Sequence, residues 1–424
     1  MSTPWGPTKI PRVNSTRIID LRFEPDWNSA YGRLVDIERR YSKMLADTPE
    51  ARDTTEALDT TEARATLQTH IMHLRVIGWL YVFAVRLQCR HELSLRIVSC
   101  PDDETVIDLG RFLCDQYLRA FRKAKDRIPS DSSHPSRNSF DRRRETIEKK
   151  LIPAPINYSD AKRYACERDN DQCVFTKQFS RLSPLYDDHT PDSNRQAILR
   201  SARALPRSTK LEDLSGTPET TPFCKLECAH IFSESINQNI ATDANYYKKF
   251  CQLTFYLLYY TMQAWATSVL DILESFGHSH LRQELQGALI HRLENVISIS
   301  SEYLDMFDSL DLWLEHVVRA AEDGEEGHRY LVRAPNRRQA MVLVKVYSDD
   351  GIIEFTTPNE RLYPLPSREY IQLHAAACKV AHMSGAADHF SKIDRALDED
   401  GVLAEDGHQM FVLADRLRQA IAAH

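Results

Sequence analysis

His291-Arg292-Leu293-Glu294-Asn295-Val296-Ile297-Ser298-Ile299 is the segment around which this chain organises, and it runs on to Met306-Phe307-Asp308-Ser309-Leu310. Asn295 opens a short apolar run of strand character, and the residues after it read as a helix. Two signals stand upstream. The nearer is Glu227-Cys228-Ala229-His230-Ile231-Phe232, a histidine followed by apolar residues. The farther is Ala161-Lys162-Arg163-Tyr164-Ala165-Cys166-Glu167-Arg168-Asp169 with Gln172-Cys173-Val174-Phe175-Thr176 close behind. In chain order the middle of the protein therefore offers a strand-end histidine, an asparagine opening a second strand, and a helix.

Working outward, the long interval between His230 and Asn295 is largely filled by an apolar helix expected over residues 248–275. Its stretch Phe250–Leu270 has no formally charged residue and meets the length of a membrane span. Gln252, Thr254, Thr261, Gln263, Thr267 and Ser268 interrupt it, so a core helix is the expectation. Its aromatic residues, Tyr246 to Tyr260, are read as core, with base stacking as the alternative. On the N-terminal side, residues 15–23 read as a strand, and residues 30–45, 67–89 and 104–125 as helices. Asp53–Arg64 holds the tandem duplication DTTEAL/DTTEAR, read as a solvated segment.

Ile128–Asp141 is rich in Ser and Pro and lacks periodicity, which marks a boundary. Basic residues bracket it: Arg119, Arg122, Lys123, Lys125 and Arg127 before, Arg142, Arg143, Arg144, Lys149 and Lys150 after. They read either as a solvated face or as a phosphate-facing patch. A second polar stretch, residues 184–221, is expected as a loop. Further on, residues 330–332, 340–347 and 352–356 read as strands, with a hairpin turn at Ser348–Gly351. Helices are expected over 368–384, 388–397 and 409–422. The fold class is thus α+β, in four stretches: an N-terminal helical domain over 1–127, a basic linker over 128–150, a central domain over 151–320, and a C-terminal hairpin-plus-helices region over 321–424.

Taken together, the Arg168-Asp169-x-x-x-Cys173-Val174-x-Thr176 opening, the Ala229-His230-Ile231 segment and the Asn295-to-Ile299 segment with Phe307-Asp308 downstream resemble the HNH endonuclease domain of fungal proteins. Leu365-Pro366, the segment Leu373–Ala386 and Ser133–Arg137 are similar to sequences found with that domain in basidiomycete members. The resemblance implies a ββα-metal core with a long helical insertion. It implies that His230 is the general base and that Asn295 orients its ring, with a divalent ion (Mg²⁺ or Zn²⁺) held on the helix. The family's ligand histidine, four residues before the Asp of the Phe-Asp pair, falls on Leu304, and the residue before the base is Ala229. Asp305 and Asp308 are the substitute ligand candidates, since a hard ion takes carboxylate oxygens. Asp305 needs a register shift to reach the same ion, because adjacent helix positions point about 100° apart. The implied activity is an endonuclease or a degenerate, non-cutting descendant of one. DNA is the expected partner, with RNA second; a non-catalytic nucleic-acid-binding or scaffold protein is the alternative.

Composition sets outer limits. A net charge of -7 excludes a chain that binds phosphate backbones through overall charge, so any such surface is local. Nine cysteines without C-x-x-C pairs do not read as a disulfide framework. With no secretory signal and no membrane partner expected, the predicted setting is intracellular, nuclear or cytoplasmic. Cys224 and Cys228 have zinc-pair spacing whereas Cys166 and Cys173 do not, and burial is the favoured role for all four. His278, His280 and His291 are read as surface or capping residues, and His374 and His382 as structural ones.

Overall fold

The computed structural model describes residues 5–12, 25–49, 57–122, 155–181, 223–237, 269–317, 327–335 and 351–399. The expected strands at 15–23 and 340–347, the Ser/Pro-rich boundary with most of its basic bracket, and the polar loop over 184–221 lie outside them. So do most of the 248–275 helix and the closing helix at 409–422. Within the described residues the helices are α1 (Pro25–Asp47), α2 (Ala57–Phe83), α3 (Leu87–Ser99), α4 (Asp103–Phe112), α5 (Tyr158–Arg168), α6 (Val269–Ser275), α7 (His280–Leu285), α8 (Ser301–Asp308), α9 (Arg368–Ser384) and α10 (Ala386–Glu399). The strands are β1 (Phe179–Ser180), β2 (Phe223–Cys224), β3 (Leu226–His230), β4 (Val296–Ser300), β5 (Trp313–His316), β6 (Arg329–Arg333) and β7 (Ile352–Glu354). The protein is mixed α+β and mostly helical, with small sheets.

Two compact units divide the chain. One gathers the described residues of Met1–Lys123, Ser233–Glu284 and Ala376–His424; the other gathers those of Ala124–Phe232 and Leu285–Ala375.

The first unit is helical. Trp79, Leu74, Ile77 and Leu80 of α2 are buried with Leu34 and Ile37 of α1, as apolar spacing at helical period requires. The single helix expected over 67–89 is two. Arg90 donates from Nε to the Tyr81 carbonyl (3.0 Å), satisfying one of the acceptors exposed where α2 ends, and α3 then starts at Leu87. The helix expected over 104–125 is likewise interrupted. Asp102 caps α4 by accepting from the Thr105 amide (2.8 Å), but α4 stops at Phe112. A π turn (Leu113–Tyr117) and a 3₁₀ turn (Leu118–Phe121) follow. These irregular turns carry Tyr117 into edge-to-face contact with Phe121 and Phe276, ring centroids 5.6 Å apart in each pair.

Gly110 sets how closely α4 approaches α2. A Cβ there would lie 2.2 Å from the His73 carbonyl oxygen, a main-chain atom that cannot swing aside. Helix propensity alone favours alanine over glycine by up to ~1 kcal/mol. Overpacking of a helix–helix contact reverses that sign, and Gly110→Ala is expected to destabilise by roughly 1–3 kcal/mol in urea unfolding.

All the strands among the described residues belong to the second unit. β3 and β4 pair antiparallel with Glu227 opposite Ile299, Cys228 opposite Ser298 and His230 opposite Val296. α8 begins directly after β4. On its other edge β4 receives the loop after α5: the Val174 amide donates to the Ser298 carbonyl (2.9 Å), and the Ser300 amide to Cys173 Sγ (3.3 Å). Both edges covered, β4 is buried along its whole length. Asn170 and Asp171 in that loop adopt φ of 54°, a left-handed conformation their side chains tolerate better than most. Ala161, Tyr164 and Ala165 of α5 close a core with Cys228, Leu293, Val296 and Tyr363.

The first strand and most of the turn of the hairpin expected between 340–347 and 352–356 lie outside the described residues. β7 pairs antiparallel with β6, and β6 with β5, a strand not anticipated from sequence. Leu314, Tyr330, Val332 and Ile353 bury one side of this sheet, and Trp313 is buried on the other. α9 holds to its expected bounds. Its His374 stacks on Phe307 of α8, centroids 4.2 Å apart at 10°. Burial drives the His374 imidazolium down to about 3, only partly offset by a hydrogen bond to the Phe307 main chain. The unfolded chain therefore takes up this proton near the ordinary 6.5 while the folded chain refuses it until about 3. Stability from this site is full above 6.5 and is lost as pH falls through that window. His374→Phe, which keeps a stacked ring without a proton site, is expected to flatten the loss of stability between those pH values in urea titrations.

Candidate functional site

His230 ends β3, held in register opposite Val296. Its ring is half-buried and meets two others. His291 stands edge-on, with its Nδ1 3.1 Å from His230 Nε2. The Tyr158 ring lies against His230 at 5.9 Å between centroids and 26° between planes. Tyr158 also reaches Glu227 Oε2 (3.5 Å). Burial pushes the Tyr158 phenol well above its usual value, and Cys228, Glu227 and Asp308 add to the effect, so the hydroxyl stays protonated. Burial also pushes the Glu227 carboxyl up, but Lys162 (2.7 Å) and Lys225 (3.0 Å) outweigh it and hold the group below the usual carboxylate range.

Asn295 is fully buried. The expectation that it orients the His230 ring directly is corrected by its contacts. Its Oδ1 accepts from the Phe232 amide (2.9 Å), and its Nδ2 donates to the carbonyls of Phe232 (3.1 Å) and Ile290 (2.8 Å). Its own carbonyl accepts from the Ile231 amide (2.8 Å). The physical reason is the cost of burying main-chain polar groups without partners. An amide at this position answers three of them, and in doing so ties the segment after His230 to the segment before His291.

Behind it sits a second buried device. Arg168 at the end of α5 is fully buried and bidentate to Asp169 (2.8 and 2.9 Å). It donates as well to the carbonyls of Leu293 and Val296 (2.8 Å each) and Pro364 (3.4 Å). Asp169 Oδ2 in turn accepts from the Ser298 amide (3.2 Å). The Arg-Asp pair quoted from the sequence thus grips the main chain on both sides of Asn295.

Leu304, Asp305 and Asp308 all fall on α8. Leu304 is half-buried and has no donor atom; Asp305 is exposed, and Asp308 is half-buried. Among the described residues no group of three or more His, Cys, Asp or Glu side chains converges as metal ligands. With an apolar side chain at the helix position and Asp305 exposed, the donor set of α8 by itself does not fit the ion that the resemblance implies.

Cys173, Cys224 and Cys228 are buried, and Cys166 is half-buried. Cys224 donates to the Gln178 carbonyl (3.8 Å), and burial pushes its thiol up to about 12; burial also holds the Cys166 thiol well above its usual value. Of the basic bracket, Arg122 is a described member: it pairs with Asp394 and lies over the Phe390 ring at 4.7 Å. His278, read as a capping residue, is buried and accepts from Arg86 Nε at Nδ1 (3.2 Å). His291 is the residue sequence reasoning missed. Its spacing to His230 matches no ligand or motif pattern, and only its position four residues before Asn295 hints that it shares the same turn. Comparison of the chain with family models, with curated proteins and with solved structures gives no match in any of the three.

Proposed function

We propose that β3, β4 and α8 form an HNH-type nuclease unit directed at nucleic-acid phosphodiesters, DNA first and RNA second, with His230 as its general base. The observation that carries this reading is the antiparallel register setting His230 opposite Val296, the residue after Asn295, on a strand that runs straight into α8. That arrangement matches what the sequence resemblance implies, in the order it implies. In the proposed step His230 accepts a proton from a water aimed at the phosphate. The neighbouring Tyr158 ring limits the orientations open to the imidazole, which is what a general base needs. Dependence on Mg²⁺ or Zn²⁺ belongs to the proposal as a quantity to be measured.

Leu304 favours a second reading, in which the unit binds nucleic acid, or serves as a scaffold, without cutting it. Plasmid nicking across Mg²⁺, Mn²⁺, Zn²⁺ and EDTA separates the two. The nuclease reading expects metal-dependent nicking that falls by about 10²-fold or more in His230→Ala, the scale of general-base catalysis. Folded protein that nicks under no metal, yet binds duplex DNA with a steep salt dependence, would establish the second reading instead.

A further inference from the structure

We propose that His291 is the positioning residue of His230: its Nδ1 accepts a hydrogen bond from Nε2–H of His230, leaving His230 Nδ1 as the lone-pair nitrogen. The assignment of a base to be positioned rests on the function proposed above; the tautomer of the pair does not.

The two nitrogens are 3.1 Å apart and the rings stand at 75°. A neutral imidazole has one donor and one acceptor nitrogen, so the pair has two possible arrangements. If His230 donates, both rings carry their proton on Nε2, the more stable tautomer of free histidine. If His291 donates from Nδ1, both rings are forced into the minor tautomer. The first arrangement keeps both rings in the tautomer that free histidine prefers, and the second gives up that preference in both. Which nitrogen of a histidine is available follows from the bond that the other makes, so this contact selects the reacting atom of His230.

The pairing is built into the fold. Asn295 bonds Phe232, two residues after His230, and Ile290, the residue before His291. The amide expected to hold the base directly holds instead the two turns that bring the histidines together. Tyr158 covers one face of the His230 ring, so rotation that would break the contact meets a wall.

Long-range ¹H–¹⁵N correlation of the histidine rings in the full chain at neutral pH tests this, with signals assigned by their loss in His230→Gln and in the His291 variants. The expected pattern is a protonated Nε2 and an unprotonated Nδ1 on His230. In His291→Leu the His230 nitrogens should move toward the averaged values of a freely exchanging imidazole. His291→Asn, whose Oδ1 stands near the lost acceptor, should restore the wild-type pattern. Nicking should follow the same order, lower by about 10–100-fold in His291→Leu, the usual effect of removing such a partner, and recovered in His291→Asn. A proton on His230 Nδ1 in the wild type overturns the proposal, as does a folded His291→Leu with unchanged His230 shifts. Should His291→Leu fail to fold, the wild-type pattern and the asparagine variant decide. The expected ring pattern in a protein that does not nick would sink the nuclease reading and leave the pairing standing.

Discussion

Arg168→Ala is expected to cost about 3–5 kcal/mol of stability, the range for removing one partner of a buried ion pair. The guanidinium is fully buried, and its loss strands Asp169, whose carboxylate is also buried. It strands the carbonyls of Leu293 and Val296 as well. An ordinary hydrogen bond exchanged with water contributes only about 1 kcal/mol. The expected loss is much larger because the guanidinium is fully buried and its removal leaves a buried acidic side chain and two main-chain carbonyls without it. Arg168→Lys tests the argument from the other side. It retains the charge but not the planar fork that reaches a carboxylate and two carbonyls at once, so it should fall between wild type and alanine. Arg163, on the same helix, is largely exposed and pairs with Asp160 at 3.0 Å; Arg163→Ala is expected to stay within about 0.5 kcal/mol of wild type. Urea unfolding of the three variants checks the series. A loss below about 1 kcal/mol in Arg168→Ala would mean that the pair is replaceable by local rearrangement.

That series bears on what the sequence makes legible. Periodicity found α9 to its ends and the body of α1, though not its first turn, because their apolar faces are continuous. It missed β5, since Trp313-Leu314-Glu315-His316 is too short to show a period and is a strand only through β6. It joined α2 to α3 because apolar spacing runs through the break, and the break is set by Arg90 on the Tyr81 carbonyl, a contact with no local signature. The α+β class was legible, as were His230 at a strand end and Asn295 at a strand start, because strand and helix propensities in these segments agree with tertiary pairing.

The roles within the site were less legible, for one physical reason. A buried polar side chain is assigned by whatever main-chain groups surround it, and those come from distant parts of the sequence. Arg168 and Asp169 were visible as a motif but not as the clamp on Leu293, Val296 and Ser298. His291 was visible as a histidine but not as a partner of His230. Leu304 is the opposite case: its chemistry is legible from identity alone, because no fold gives leucine a donor atom.

Asn295→Leu follows from the same reasoning and is expected to cost about 3 kcal/mol or more. Leucine has as many side-chain heavy atoms as asparagine and is bulkier, so no cavity forms, and the loss comes chiefly from polar groups. The Phe232 amide and the carbonyls of Phe232 and Ile290 lose their partner in a site closed to water, at about 1–3 kcal/mol for each group left unsatisfied; relaxation keeps the total below the sum. Asn295→Asp is no milder. Its carboxylate still accepts from the Phe232 amide, but its second oxygen faces two carbonyls that asparagine met with a donor, and the charge is buried. Both variants should therefore fall well below Asn295→Gln in urea unfolding, since glutamine retains both functions and has only its extra methylene to accommodate. The histidine ring signals give the decisive readout. If Asn295 acts by tying the two turns together, Asn295→Leu at low temperature, where it is still folded, should release the His230 tautomer as completely as His291→Leu does. A variant that loses stability yet keeps the wild-type ring pattern would show that the histidine pair forms without the amide, and would leave Asn295 as a core residue alone.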